Sequence, residues 1–231
     1  MSIQLDSEMH VELIDSMGSD LRIVNAARMS LDVEHPEFLP ADEGLIRSLI
    51  RNGHGTPFEK PRFEFMVHVP IFIAREWFKH RFSSFNEVSG RYSEYKPIFY
   101  MPPDPYIRKQ IGKAMSYDYK PIEDANKIAD YKFHMHTTYT IQWNSYQAIL
   151  AANIAKEIAR IAMPIGLYTK FMWGTDLRNL TNFLVLRNAP QAQQEIQDAA
   201  KLVEKAFEQV CPITYRIWNE EGRPRLAALD G

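Results

Sequence analysis

Cysteine is almost absent. The 231 residues hold one, Cys211, which excludes an internal disulfide framework and a cysteine-rich metal site. A surplus of either charge is absent too: 27 Lys and Arg face 29 Asp and Glu, for a formal net charge of -2. That balance leaves no broad basic face to release phosphate counterions, so a nucleic-acid partner is not expected. No apolar run approaches the roughly 20 residues that a membrane span requires. The opening MSIQLDSEMH lacks the basic and apolar regions of a signal peptide, so the expectation is a cytoplasmic protein with no membrane partner. Internal repeats, low-complexity tracts and linkers are missing as well. With 45% hydrophobic residues the chain can bury a sizeable core, and one domain over residues 1–231 is expected.

What is present reads as a few strands among many helices. His10 to Met17 and Phe63 to Val69 alternate as strands, and Leu167 to Gly174 reads as a third. Helices are expected over Leu21 to Arg28, over Asp42 to Arg51 with Gly53 closing it, and from Ile71 to Phe78 after Pro70. A long helix from about Ile122 to Leu150 carries one stripe of Ile128, Tyr131, Met135 and Thr138. A second stripe holds Tyr139, Trp143 and Tyr146, which reads as a packing surface rather than a cofactor box, within the chain or, in an oligomer, between chains. His134 and His136, two apart, point to nearly opposite helix faces and make no metal site. A further helix over Ala151 to Ala162 puts Ile154, Ile158 and Ile161 on an apolar side and Asn153, Glu157 and Arg160 on the other. Asp176 opens a helix in which Leu180, Leu184 and Arg187 share a stripe. The last helix is the clearest, with Ala192, Ile196, Ala199, Val203, Ala206 and Val210 at 3.6-residue spacing. Four prolines between Pro97 and Pro105 suggest a peripheral, turn-rich passage. The pattern is α+β and helix-rich, around a small antiparallel or mixed sheet.

The chemistry concentrates in KHRFSSFNEVSGRYS, Lys79 to Ser93, read as a loop held on the preceding strand and helix. Fixed cations, small hydroxyls, an amide and Gly90, interleaved with aromatic rings, suit a planar phosphorylated ligand. Guanidinium forks match phosphate oxygens, and a glycine lets a ligand approach the backbone amides. A solvated charged loop, or a basic aromatic surface that stacks RNA bases, has the same composition. Arg187 gives a second signal: a guanidinium continuing an apolar stripe must find an anion or acceptors if buried, or else snorkel from the helix end. Cys211, before Pro212 at the end of the last helix, reads as a buried small hydrophobe.

The ordered segment closely resembles the signature of the flavin-dependent thymidylate synthases, the ThyX family: Arg-His-Arg, seven residues, then Ser. Here Lys79, His80 and Arg81 are followed by Phe82 through Val88 and then Ser89. The resemblance extends to MHVELIDSMGSDLRIVNAARMS, HGTPFE, FIAREWF, IARIAMPIGLYTKFMW and NFLVLRNAPQAQQEI, with about Pro97 to Lys120 the least similar part. It implies reductive methylation of dUMP to dTMP, with methylenetetrahydrofolate as carbon donor and NADPH-reduced FAD as hydride source. By position, dUMP would meet Glu76, Lys79, Glu87, Ser89, Gly90, Arg91, Arg160 and Arg187. FAD would meet His54, Thr56, Glu59, Lys79, His80, Arg81, Asn86, Glu87 and Asn182. Arg187 matches the arginine that activates the uracil ring, a role that replaces a cysteine nucleophile. The resemblance also implies a homotetramer with active sites shared between chains.

The chain departs from the family at Lys79, where a point charge replaces a forked guanidinium, and at Gln191, Asp176 and Glu76. An aspartate beside a flavin phosphate would be repulsive. A catalytically weakened flavin- or nucleotide-binding module, with Lys79 as its lesion, is the alternative.

Overall fold

The structure, a computed structural model, describes residues 2–113 and 116–228. In chain order the strands and helices are β1 (Gln4–Asp6), β2 (His10–Met17), α1 (Asp20–Arg28), α2 (Asp42–Asn52), β3 (Arg62–Pro70), α3 (Ile71–Trp77) and β4 (Ser84–Glu87). Then come β5 (Ile98–Tyr100), β6 (Arg108–Lys113), β7 (Ser116–Pro121), α4 (Ala125–Ala151), α5 (Lys156–Ala159) and β8 (Tyr168–Asp176). The chain closes with α6 (Leu177–Arg187), α7 (Gln194–Val210), α8 (Pro212–Ile217) and α9 (Arg223–Ala227). The expected α+β, helix-rich class is what forms. Among the described residues no helix is long and apolar enough to cross a membrane.

The chain divides into two compact units: the first holds Met1–Glu8, Val69–Arg75 and Glu87–Lys170, the second Met9–His68, Glu76–Asn86 and Phe171–Gly231. The second unit is organised on a four-stranded sheet of order β2-β3-β8-β4, in which β2 and β3 pair antiparallel. Period-two alternation in β3 and β8 aims Phe63, Phe65 and Val67, then Phe171 and Trp173, at one face. Trp77 and Phe183 close on them, with ring centroids 4.6 Å apart and 5.2 and 5.0 Å from Trp173. Asp176 caps α6 by accepting hydrogen bonds from the Asn179 backbone (2.9 Å) and side-chain amide (2.8 Å). Helix α7 buries Ile196, Ala199, Val203 and Ala206 of the expected stripe, with Phe207 beside them; Ala192 precedes the helix and Val210 is only half-buried.

The chain does not stop being helical at Cys211. Pro212 occupies the first turn of α8, where its missing N–H costs nothing. Buried Asp20 fixes this start by accepting from Thr214 N (2.8 Å) and Ile213 N (3.1 Å). Cys211 is fully buried, and burial pushes its thiol pKa well up, the reverse of an activated nucleophile.

In the first unit β1 and β5 pair in parallel, and this corrects the peripheral reading of the Pro97–Pro105 passage. Phe99, Tyr100 and Met101 are buried, and Phe99 stacks on Tyr139 at 4.8 Å. The antiparallel hairpin of β6 and β7 stands more exposed. The stripe of Tyr139, Trp143 and Tyr146 is buried within this unit, so it leaves nothing for a second chain to cover. The helix expected over Ala151 to Ala162 is also corrected. Helix α4 ends at Ala151, Asn153 takes φ 60°, and only α5 and one 3-10 turn, Arg160–Ala162, follow. Ile154, Ile158 and Ile161, read as the apolar side of that helix, are exposed by 44, 53 and 76%, and Ile165 by 64%.

Candidate functional site

Residues of the signature segment are not all loop: Ser84–Glu87 is β4, paired to β8 in the sheet. After it, within the first unit, Ser89 starts a turn. Its carbonyl accepts from Tyr92 N (3.1 Å) and Ser93 N (3.0 Å), and its hydroxyl from Arg91 N (3.3 Å). Arg91 Nε donates to Glu157 Oε2 at 3.1 Å, and Arg160 Nε to the Glu157 carbonyl at 3.3 Å. Glu157 on α5 therefore gathers both arginines. Glu87 accepts from Thr169 Oγ1 at 2.6 Å. The Arg91–Glu157 pair is about half exposed on both sides, so water screens it and the pair is weak. Ser89, Gly90, Arg91 and Arg160 are thus brought to one turn rich in cations.

In the second unit, α6 delivers Arg187 and α3 delivers Glu76, with His80 just beyond. Arg187 Nε donates to His80 Nε2 at 3.0 Å, Nη1 pairs with Glu76 Oε2 at 3.3 Å, and Nη2 donates to the Glu76 carbonyl at 3.1 Å. Only 20% of the Arg187 side chain is exposed, so the arginine on the apolar stripe has found the acceptors that burial demands. Burial, with the adjacent Arg187 charge, pulls the His80 pKa down to about 4. His80 is therefore neutral near pH 7, with Nε2 free to accept. Burial raises the Glu76 pKa, against a lowering by Arg187. Lys79 and Arg81 are exposed beside this cluster in sequence.

A cavity of about 260 Å³ in the same unit takes in His54, Gly55, Arg178, Asn182, Trp218 and Arg225, with Leu49, Ile50 and Phe58 as an apolar wall. Arg178 lies across Gly55, where a Cβ would sit 2.7 Å from its Nε, and pairs with Glu59 at 2.6 Å. Thr56 and Glu59 form the 3-10 turn Thr56–Glu59 that follows Gly55. Two guanidiniums, an imidazole and an amide around an apolar wall fit a phosphorylated ligand with a planar ring. A larger cavity of about 500 Å³, taking in Phe82, Ser83 and Ser84, mixes Arg62 with Asp15 and Glu64 and does not select an anion. The carboxylate of Asp176 is spent on the α6 cap and is buried.

Sequence reasoning missed Arg178, Trp218 and Arg225. Arg178 lies one helical turn before Asn182, a spacing that marks a shared face; the other two lie in helical segments that were not expected.

A family model described as thymidylate synthase complementing protein matches residues 12–213. The chain belongs to this family. A flavin-dependent thymidylate synthase of Thermotoga neapolitana is 40% identical over 215 residues, 93% of each chain. One from Thermus thermophilus is 39% identical, covering 96% of this chain and 82% of the relative. Among solved structures, a UMP/dUMP methylase, PolB, from Streptomyces cacaoi, bound with 5-Br UMP, superposes with a TM-score of 0.89 at 34% identity. That match covers 96% of this chain and 99% of PolB. The likeness read from the signature is therefore family membership.

Proposed function

We propose that the protein is a flavin-dependent thymidylate synthase. It methylates C5 of the uracil of dUMP, with methylenetetrahydrofolate as carbon donor and FAD, reduced by NADPH, as the redox cofactor. The observation that carries the reading is Arg187, a nearly buried guanidinium fixed by a neutral His80 and by Glu76. Fixed positive charge in a site of low dielectric stabilises negative charge developing on a pyrimidine ring. This does the work a thiolate would otherwise do, and buried Cys211 offers no thiolate.

His54, Arg178 and Asn182, with Thr56 and Glu59 alongside, are the residues that would hold FAD, with His80, Arg81 and Asn86 as the signature's share. The flavin, when bound and reduced, supplies the hydride that turns methylene into methyl. The protein's part is orientation and charge. Ser89, Gly90, Arg91 and Arg160 grip the phosphate, with Arg91 giving the strongest contact because a fork matches two oxygens. Glu87 and Lys79 act on the nucleotide as well, Lys79 through a single contact. Arg187, oriented by its three acceptors, polarises the ring.

The two units act as one catalytic domain, and the chain works in the cytosol as a homotetramer with active sites shared between chains. The exposed isoleucines 154, 158, 161 and 165 support assembly, since an apolar run of this kind favours cover by a second chain. The test is dUMP-dependent oxidation of the reduced flavoprotein with folate present. Formation of dTMP supports the reading, and nucleotide binding without product overturns it.

A further inference from the structure

We infer that Arg225, on the tail of the chain, supplies a second phosphate contact in the flavin cavity, so that the diphosphate of the cofactor is held between it and Arg178. The inference rests on the flavin reading proposed above for that cavity. Arg225 lies beyond residues 12–213, the part of the chain that the family model matches. What marks it is the charge around it.

Among the described residues that line the cavity two are arginines, Arg178 and Arg225, and none is a carboxylate. Arg178 has a counter-charge in Glu59, at 2.6 Å. Arg225 has none among the described residues, where its one hydrogen bond runs from Nη1 to the Ile50 carbonyl at 3.2 Å. A guanidinium carries five N–H donors, so most of this fork is open to a ligand.

The end of α2 explains why a cation belongs there. Gly53 closes that helix, and its N–H donates to the same Ile50 carbonyl. Left bare, the last carbonyls and the negative pole of the helix would face the cavity and repel a phosphate. The guanidinium reverses that sign. Its approach needs glycine: a Cβ on Gly53 would lie 2.6 Å from Arg225 Nη2, as one on Gly55 would lie 2.7 Å from Arg178 Nε. The run Gly53-His54-Gly55 therefore carries a guanidinium at each glycine. Helix α9 packs on α6, which bears Arg178 and Asn182, and this brings both arginines to one cavity. Two like charges facing one apolar-walled space repel each other, and a diphosphate, with a negative charge on each phosphate, turns the repulsion into attraction.

The experiment measures FAD release on serial dilution of the flavin-loaded protein, read as free-flavin fluorescence, for native protein, R225A and R178A at low and high salt. R225A is expected to raise the Kd about tenfold at low salt, the range for one ionic hydrogen bond. At about 1 M salt, where exposed charges are screened, that gap narrows to less than about threefold. A residue that only supported the fold would weaken binding equally at both salts. That result, or an unchanged Kd, overturns the inference. R225A unchanged with R178A weakened strikes this inference alone, whereas both unchanged strikes the flavin reading of the cavity.

Discussion

Arg91 and Arg187 are both guanidiniums beside a glutamate, yet the structure treats them differently. Arg91 is half exposed and meets one carboxylate through one nitrogen. Arg187 is largely buried and engages an imidazole nitrogen, a carboxylate and a carbonyl through all three of its nitrogens. A group that must catch and release a charged substrate gains from weak, screened partners. A group that must stabilise charge at a defined place gains from being fixed before the substrate arrives.

The largest effect expected from this contrast is at Arg187. Replacement by Ala should cut dTMP formation by about 10²- to 10³-fold, the range for losing one preorganised charge-stabilising group, while flavin absorbance shows the cofactor still bound. Undiminished turnover would remove Arg187 from the chemistry. Arg91→Ala should instead raise KM for dUMP by about 10- to 100-fold with a smaller change in kcat, as for a lost ionic hydrogen bond. Equal losses in kcat at the two positions would erase the distinction. Arg178→Ala should weaken flavin retention by about tenfold, on the same scale for a single ionic contact, measured as cofactor lost on gel filtration. The smallest effect concerns pH. The His80 pKa falls on folding from 6.5 to about 4, so its contribution to stability is complete above about pH 6.5 and is lost as pH drops through about 4. The Tm of the native protein should therefore fall more between pH 7 and 5 than that of His80→Gln. Parallel curves would show that folding leaves the His80 pKa near its ordinary value.

Much of the molecule was legible where sequence period and burial coincide. Strands β2 and β3 and helices α2 and α6 lie within a residue or two of expectation, because each alternates or repeats cleanly and α2 ends at Gly53, left-handed at φ 69°. Arg187 was legible for the same reason: a charge on an apolar stripe is an anomaly that demands partners. The errors share a cause as well. Ile154, Ile158 and Ile161 repeat at helical spacing, but spacing marks an apolar face without saying what covers it, and these are exposed. The prolines around Phe99 outweighed the three apolar residues that the core takes up. Pro212 read as a stop although proline is at home in a helix's first turn. Arg178 carried no anomaly, being a charged residue on an exposed turn of α6, and only folding brings it over Gly55.

The hydrogen bonds from Ile213 and Thr214 to Asp20 tie the tail of the chain to its first helix, and Trp218 and Arg225 just beyond them wall the cavity that holds His54 and Asn182. Trimming the protein at Cys211 would thus cost more than a loose end. It would unroof the proposed cofactor chamber and strand a buried carboxylate.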